Sequence, residues 1–444
     1  MAGRANNPDS PDAGRMRVSP GGVTGRMWVG RGGQFESQAA VRQKHLQRVL
    51  QHVLRDAGTA TRASIARRTG LTSATISSLV AELITLGLVA DGEHAESTGG
   101  KRPTTLRMDR STFAIVAVVV RARSLRLGLL DLTGTTVAET TKSFASAPSA
   151  DDIVQGIREL TGGLPHRLLA IGIQVPGTSD QGVVVESVQL GWSGVPIAQI
   201  IEDAVGAPAY LLNDADAEAL ADAAIDRETV SERLLVHLGE GVGSALTVGG
   251  ILVRGFSGRA GEIGHVRVVF EAERTFCRCG LSGCLESTAS LTAMLGDGFH
   301  DDLDDASIAL LSTARDSHDR MALGTRALSR ALRMLSAMLD PEEILIGGSA
   351  PSLGGEYLSM LQDEFEMYPA KGTRTVRIRY SKAGGFPFIG AAQFALRSEL
   401  GVSWCALEEL QPTVSAGPAG IGAAGASAAG VGAAGVGAAG IGAA

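Results

Sequence analysis

"CRCGLSGCLE" spans Cys277 to Glu286 and holds three of the four cysteines in a chain of 444 residues. Cys277, Cys279 and Cys284 follow C-x-C-x4-C spacing, with Gly280 and Gly283 between them. Glycine tolerates the sharp turns that bring such closely spaced thiolates onto one ion. Three thiolates leave one corner of a zinc tetrahedron open. The nearest upstream candidate for that corner is His265, in "GEIGH" (261–265). Four protein ligands close the site, so the expectation is one structural zinc per chain rather than a catalytic one. A reduced thiol cluster, a redox switch and an iron–sulfur site are the other readings of the spacing. Cys405 lies far away in sequence and reads as an ordinary thiol.

The length allows two or three domains and a large core. Hydrophobic content of 44% and charged content of 20% are those of a globular chain. No apolar run reaches the roughly 18 residues of a membrane span. The longest, "FAIVAVVV" (113–120), suits a buried strand. The first residues carry no apolar segment of the secretory type. The expected location is the cytoplasm, without a membrane partner, where clustered cysteines more often bind metal than pair. Charge is uneven. Residues 1–110 carry 16 Lys and Arg against nine Asp and Glu, whereas the whole chain is at -7. A basic front on an acidic body points to a polyanionic partner for the front alone.

Residues 1–38 are rich in Gly, Pro, Asn and Arg without apolar periodicity and read as a disordered tail. Residues 411–444 are dominated by Gly and Ala and read as a second one. Residues 39–110 are helical with a β-like end. Residues 111–410 alternate strands such as "LAIGIQV", "RLLVHLG" and "EILIGG" with helices over 214–224 and 324–338, which predicts an α/β domain. Gly249-Gly250 between apolar runs predicts a tight hairpin.

Within the basic front, residues 58–89 read as helix, turn, helix. The first helix covers 62–68, Gly70 breaks it, and Thr72 or Ser73 caps the next. Ile76, Leu79, Val80 and Leu83 recur at helical spacing and form its buried stripe. Thr72, Ser73, Thr75, Ser77 and Ser78 supply a small polar surface that can approach bases and phosphates. Residues 89–109 then form a two-stranded wing, with Lys101 and Arg102 placed to meet phosphate or the minor groove. The expected partner is a double-stranded DNA operator.

"RAGEIGHVRV" (259–268) followed by "CRCGLSGCLE" resembles the signature of the ROK family (repressors, open reading frames and sugar kinases). "QVPGTSDQGVVVESVQLGW" (174–192), "LLNDADAEAL" (211–220), "ILIGGSA" (344–350) and "GGFPFIGAA" (384–392) extend the resemblance over most of residues 40–400. The resemblance implies an actin-like, ribonuclease H-like two-lobed sugar-kinase fold, preceded here by a winged helix-turn-helix as in the repressor branch. It implies that Asn213, Asp214, Glu262, His265 and Glu286 bind a sugar. Asp214 stands at the kinase base position, and His265 binds zinc through one ring nitrogen while its other faces the sugar. Carboxylates are acceptors and suit a polyol's hydroxyl donors.

Family kinases carry an Asp-x-Gly-Gly-Thr phosphate loop. The corresponding positions here are Val119, Arg121, Ala122 and Arg123. A second loop, usually Gly-Thr-Gly, is Gly239-Glu240-Gly241. A carboxylate about 4 Å from a phosphate oxygen costs about 4 kcal/mol at an effective dielectric of about 20. The sugar half of the site is therefore expected to be intact and the nucleotide half dismantled. That predicts a sugar-responsive regulator, a repressor acting as a homodimer or homotetramer and responding to a sugar or sugar phosphate. The alternative is an ATP-dependent sugar kinase with an attached DNA-binding domain.

Overall fold

The computed structural model describes residues 37–94, 103–226, 230–269, 276–367 and 376–407. The Gly/Ala-rich tail, most of the N-terminal tail, Lys101 and Arg102 lie outside the described residues.

The first unit is built from α1 (Gln38–Arg55), β1 (Ala60–Thr61), α2 (Arg62–Thr69), α3 (Ser73–Thr85), β2 (Val89–His94) and β3 (Thr104–Met108). The N-terminal tail was expected to reach residue 38, but the helix already begins at Gln38 because Ser37 caps it, accepting from the Ala40 N–H. Gly70 ends α2 in the left-handed region, where a side chain would be strained. Thr72 caps α3, and Ile76, Leu79, Val80 and Leu83 are its buried stripe, as expected. β2 and β3 pair antiparallel as the wing, and β1 adds a third strand beside β3 that the sequence pattern does not announce.

Next come β4 (Phe113–Val120), β5 (Ser124–Asp131), β6 (Thr136–Ser143), α4 (Ala150–Thr161), β7 (Arg167–Val175), β8 (Thr178–Asp180), β9 (Val183–Ser187), β10 (Trp192–Val195), α5 (Ile197–Val205), β11 (Ala209–Asn213) and α6 (Asp214–Ile225). The second half holds β12 (Arg233–Leu238), β13 (Val242–Val248), β14 (Ile251–Leu252), α7 (Glu286–Ala289), α8 (Leu291–Leu295) and α9 (Asp305–Ser312). It ends with α10 (Arg315–Leu339), β15 (Glu343–Gly348), α11 (Gly354–Glu366), β16 (Arg377–Tyr380) and α12 (Ile389–Leu400). α10 starts nine residues before the expected 324, since its first six residues, Arg315 to Arg320, are all polar and show no apolar period.

The two main sheets repeat one topology. One runs β6-β5-β4-β7-β11 and the other β14-β13-β12-β15-β16. In each, the first three strands are an antiparallel meander, and the last two join parallel to the first. This duplicated order is the ribonuclease H-like two-lobed architecture. β4 is buried along its whole length, as its unbroken apolar run requires. Gly249 and Gly250 both have positive φ at the β13–β14 hairpin.

α6 lies against the second sheet and α12 against the first, and the two helices pack on each other. Gly390 makes this contact possible: a Cβ there would lie 1.9 Å from the Ala217 carbonyl oxygen. Beyond α12 the chain turns back toward the N-terminal unit. Trp404 is buried, with its indole N–H donating to the Leu132 carbonyl at 3.0 Å. Burying a side chain of this size stabilises by about 3 kcal/mol. One apolar cluster runs from Val49, Leu79 and Leu106 of the first unit through Leu130 and Leu212 to Leu400 and Trp404.

Beneath α6, Asp222, Asp226 and Glu343 converge, close enough to suggest a metal site. The guanidiniums of Arg233 and Arg379 fill it instead: Arg233 meets Asp226 at 2.7 Å, and Arg379 meets Asp222 and Glu343 at 3.0 Å each. The charges are paired, as burial demands.

Candidate functional site

A cavity of about 470 Å³ opens between the lobes. Its lining includes all five expected sugar ligands: Asn213, Asp214, Glu262, His265 and Glu286. The β11–α6 junction places the first two. Asn213 caps α6, with Oδ1 accepting from the Asp216 N–H at 2.7 Å, so its amide group is left to the cavity. Asp214 Oδ1 accepts from the Ala215 N–H at 2.9 Å, and burial raises its pKa. Glu262, also raised by burial, precedes a single 3-10 turn ending at His265. Glu286 opens α7 and accepts from the Val242 N–H at 3.3 Å, tying the cysteine loop to the second sheet.

The cysteine loop folds as its glycines predict. Gly280 and Gly283 have positive φ, and a Cβ on Gly283 would lie 2.3 Å from the Val269 carbonyl oxygen. Backbone bridges Arg267–Cys284 and Phe276–Ser282 hold its ends. One ligand atom from each of His265, Cys277, Cys279 and Cys284 lies within 4.8 Å of the other three. Cys279 Sγ and Cys284 Sγ are 3.7 Å apart, and Cys277 Sγ lies 3.6 Å from His265 Nδ1. A tetrahedron built on Zn–S of about 2.3 Å and Zn–N of about 2.0–2.1 Å has edges of about 3.8 and 3.6 Å. The donor set therefore fits a four-coordinate metal through Nδ1, with the other edge of the imidazole free. Burial pushes the Cys277 thiol up to about 12, so metal binding there displaces a proton.

Two residues that sequence reasoning overlooks join the floor. His237 on β12 donates from Nδ1 to the Glu218 carboxylate at 2.7 Å, and its Nε2 lies 3.8 Å from the Asp214 carboxylate. Burial opposes its charge, but Asp214 and Glu218 outweigh that and raise its pKa to about 9. Asp301, which follows α8, packs against the β12–β13 turn, where the Glu240 N–H donates to its carboxylate at 3.1 and 3.2 Å. His237, Asp214 and Asp301 also line an adjoining cavity of about 120 Å³, which Arg121 and Glu240 share. A strand histidine and an aspartate in an acidic run carry no local signal; only the tertiary fold sets them beside Asp214.

In the N-terminal unit, Thr72, Ser73, Ser77 and Ser78 are exposed along the first turns of α3. Thr75 is half-buried, and its hydroxyl meets that of Thr72 at 2.9 Å. Among the described residues, no helix is long and apolar enough to cross a membrane.

Fold and site together define a two-lobed, sugar-kinase-like protein headed by a winged helix-turn-helix. Residues 116–398 match the ROK family, and the chain belongs to that family, in its transcriptional-repressor branch. It is 28% identical over 356 residues to a protein named putative xylose repressor from Caldicellulosiruptor sp. (strain Rt8B.4), covering 73% of this chain and 88% of that one. The crystal structure of a ROK family transcriptional regulator, a homolog of the E. coli MLC protein, superposes with a TM-score of 0.67 at 20% identity. It covers 81% of this chain and 97% of that one. A ROK family glucokinase from Streptomyces griseus, solved with glucose and AMPPNP, superposes at 0.54 with 24% identity, covering 64% of this chain and 99% of that one. These two superpositions bear on the fold.

Proposed function

We propose that this protein is a sugar-responsive DNA-binding repressor of carbohydrate genes, acting in the cytoplasm as a homodimer or homotetramer. Its kinase-like domain serves as the effector sensor and has lost phosphoryl transfer. The observation that carries this reading is the asymmetry of the cleft. The five sugar-facing groups line one cavity, while the turn at Glu240, where a triphosphate would need backbone donors, holds the carboxylate of Asp301. At the β4–β5 turn, where phosphate would also sit, are Arg121, Ala122 and Arg123. Phosphoryl transfer depends on positioning and charge neutralisation, and both are compromised by carboxylates at the transfer site.

Zinc on His265, Cys277, Cys279 and Cys284 is structural in this reading. It stiffens the loop bearing Glu286 and fixes the His265 ring against the sugar. α3 enters the major groove with Thr72, Ser73, Thr75, Ser77 and Ser78, while Lys101 and Arg102 contact phosphate or the minor groove. Two copies meet a pseudo-palindromic operator. Sugar shifts DNA affinity only as far as it binds the two lobe arrangements differently.

The test starts by selecting duplexes bound by the full-length protein from a random pool. Affinity for the selected duplex is then measured with and without D-xylose, D-glucose and N-acetylglucosamine. One of these should weaken DNA binding. A sugar-dependent consumption of ATP that Asp214→Asn abolishes would instead establish the kinase reading, which the glucokinase-like fold keeps in view.

A further inference from the structure

Asp301 occupies the place of a ligand anion. Both of its carboxylate oxygens accept from the Glu240 N–H, and Oδ1 also accepts from the Ser349 hydroxyl at 3.3 Å. Its carboxylate lies against the bare Cα of Gly239, where a Cβ would stand 2.5 Å from Oδ1. In return, the Asp301 N–H donates to Glu240 Oε1 at 3.3 Å. The first lobe holds this segment from the other side. Arg121 donates to the Asp301 carbonyl, and the Ser124 hydroxyl donates to Asp302 Oδ1 at 2.7 Å. A Gly-flanked turn with an inward N–H is a ready anion site, and this chain fills it with its own side chain.

Asp301 also stands where the two cavities meet. The sugar-sized cavity of about 470 Å³ and the smaller one of about 120 Å³ share Asp214, His237 and Asp301. A phosphoryl group on the sugar hydroxyl nearest Asp214 has to pass from the larger cavity into the smaller one. There it meets the carboxylates of Asp301, Glu240 and Asp302, and the turn's inward N–H is already bonded. Each cation lining that space already has a partner, and His237 among them sits between Glu218 at 2.7 Å and Asp214 at 3.8 Å. Arg121 is bound to the 301–302 segment, and Arg126 stacks over the Phe388 ring, 5.6 Å from its centroid.

We infer that the cleft takes an uncharged sugar and rejects the phosphate ester of the same sugar, with Asp301 as the specificity-determining residue. This rests on the sugar-sensor reading and narrows its ligand class. Phosphate would have to displace Asp301 from its donors or sit against uncompensated negative charge. Either route disfavours the ester, while leaving the five polyol-facing groups free to bind the parent sugar.

The experiment is calorimetric titration and thermal shift of the full-length, zinc-loaded protein. The probes are D-glucose and N-acetylglucosamine, each beside its 6-phosphate, and D-xylose beside its 5-phosphate. At least one free sugar should bind, and its ester should bind at least about 100-fold more weakly, the scale of one uncompensated charge contact. An ester that binds as tightly as its parent, or more tightly, overturns this inference while leaving the sensor reading standing. Binding of no member of the panel would remove the sensor reading and the inference with it. Asp301→Ser and Asp301→Asn then test the residue. The ratio of ester to free-sugar affinity should rise at least about tenfold in the serine variant, which opens the turn. An unchanged ratio in both variants assigns the rejection elsewhere. The wild-type comparison stands even where a variant fails to fold.

Discussion

Gln51 and Ser403 are joined by a reciprocal pair of hydrogen bonds. The Gln51 amide donates to the Ser403 carbonyl at 2.8 Å, and the Ser403 N–H donates to Gln51 Oε1 at 2.8 Å. Gln51 lies in α1, in the same unit as α2 and α3, and Ser403 follows α12. α12 packs on α6, whose cap Asn213 and first residue Asp214 line the interlobe cavity. A chain of packed elements, α6, α12 and the segment after it, therefore connects the cleft to the N-terminal unit. It can pass on a change only if it has two arrangements that sugar and DNA bias differently.

Gln51→Ala should lower stability by about 1–2 kcal/mol, since both bonds are lost and the Ser403 N–H and carbonyl lose this partner. The diagnostic effect is on coupling. Sugar should bind the variant as it binds the parent, but the ratio of DNA affinities with and without sugar should move toward one. Titration of DNA in both states checks it. A full sugar response in the variant would move the coupling to another contact.

The metal prediction is direct. Full-length protein should carry one zinc per chain by elemental analysis, and a chelator should remove it. Cys284 is buried and makes a bridge to Arg267, so Cys284→Ser should lose the metal and melt at a lower temperature. Sugar affinity should fall with it, because His265 and Glu286 are held by the same loop. Metal-free protein with unaltered sugar binding would separate the loop from the cleft.

The cysteine loop is legible in sequence because its chemistry is local: three cysteines at close spacing with a histidine just upstream, and glycines where the backbone must turn. The same holds for α3, whose cap and apolar stripe lie within thirteen residues. Asn213-Asp214 is legible only through resemblance, since as a local pattern it is a helix cap, and Asn213 does cap α6. Asp301 is invisible at this level. It sits in "HDDLDD" (300–305), which reads as a solvated acidic run, yet it meets Glu240 from 61 residues away. β6 is similarly hidden, because a half-exposed edge strand with four threonines and serines has little apolar signal.

His237 makes a pH prediction. Its folded pKa of about 9 exceeds the unfolded 6.5, so the folded state holds the proton more tightly. The stability it contributes is fully present below pH 6.5 and is lost as pH rises through about 9. The loss is up to about 3 kcal/mol at order-of-magnitude level. Asp216, raised by burial to about 7, works in the same direction at lower pH. The melting temperature of zinc-saturated protein should therefore fall between pH 6.5 and 9, and His237→Asn should flatten that fall. A parent and variant with parallel profiles would remove His237 as its source.

DNA contact by α3 and by the wing can be told apart through salt. Ser77 and Ser78 are exposed, and the Ser77 hydroxyl donates to the Ser73 carbonyl at 2.8 Å, so neither side chain is part of the core. A glutamate at either position would set a carboxylate against the duplex while leaving the buried stripe of Ile76, Leu79, Val80 and Leu83 untouched. Ser77→Glu and Ser78→Glu should each weaken binding to the selected duplex by at least about tenfold, with melting temperature and zinc content unchanged. Lys101→Ala and Arg102→Ala should act differently. If each side chain meets a phosphate, its loss should reduce the slope of log affinity against log salt by about one, across specific and non-specific duplexes alike. Fluorescence anisotropy over a salt series reads both effects. Glutamates on α3 that leave DNA affinity intact would show that this helix does not face the groove.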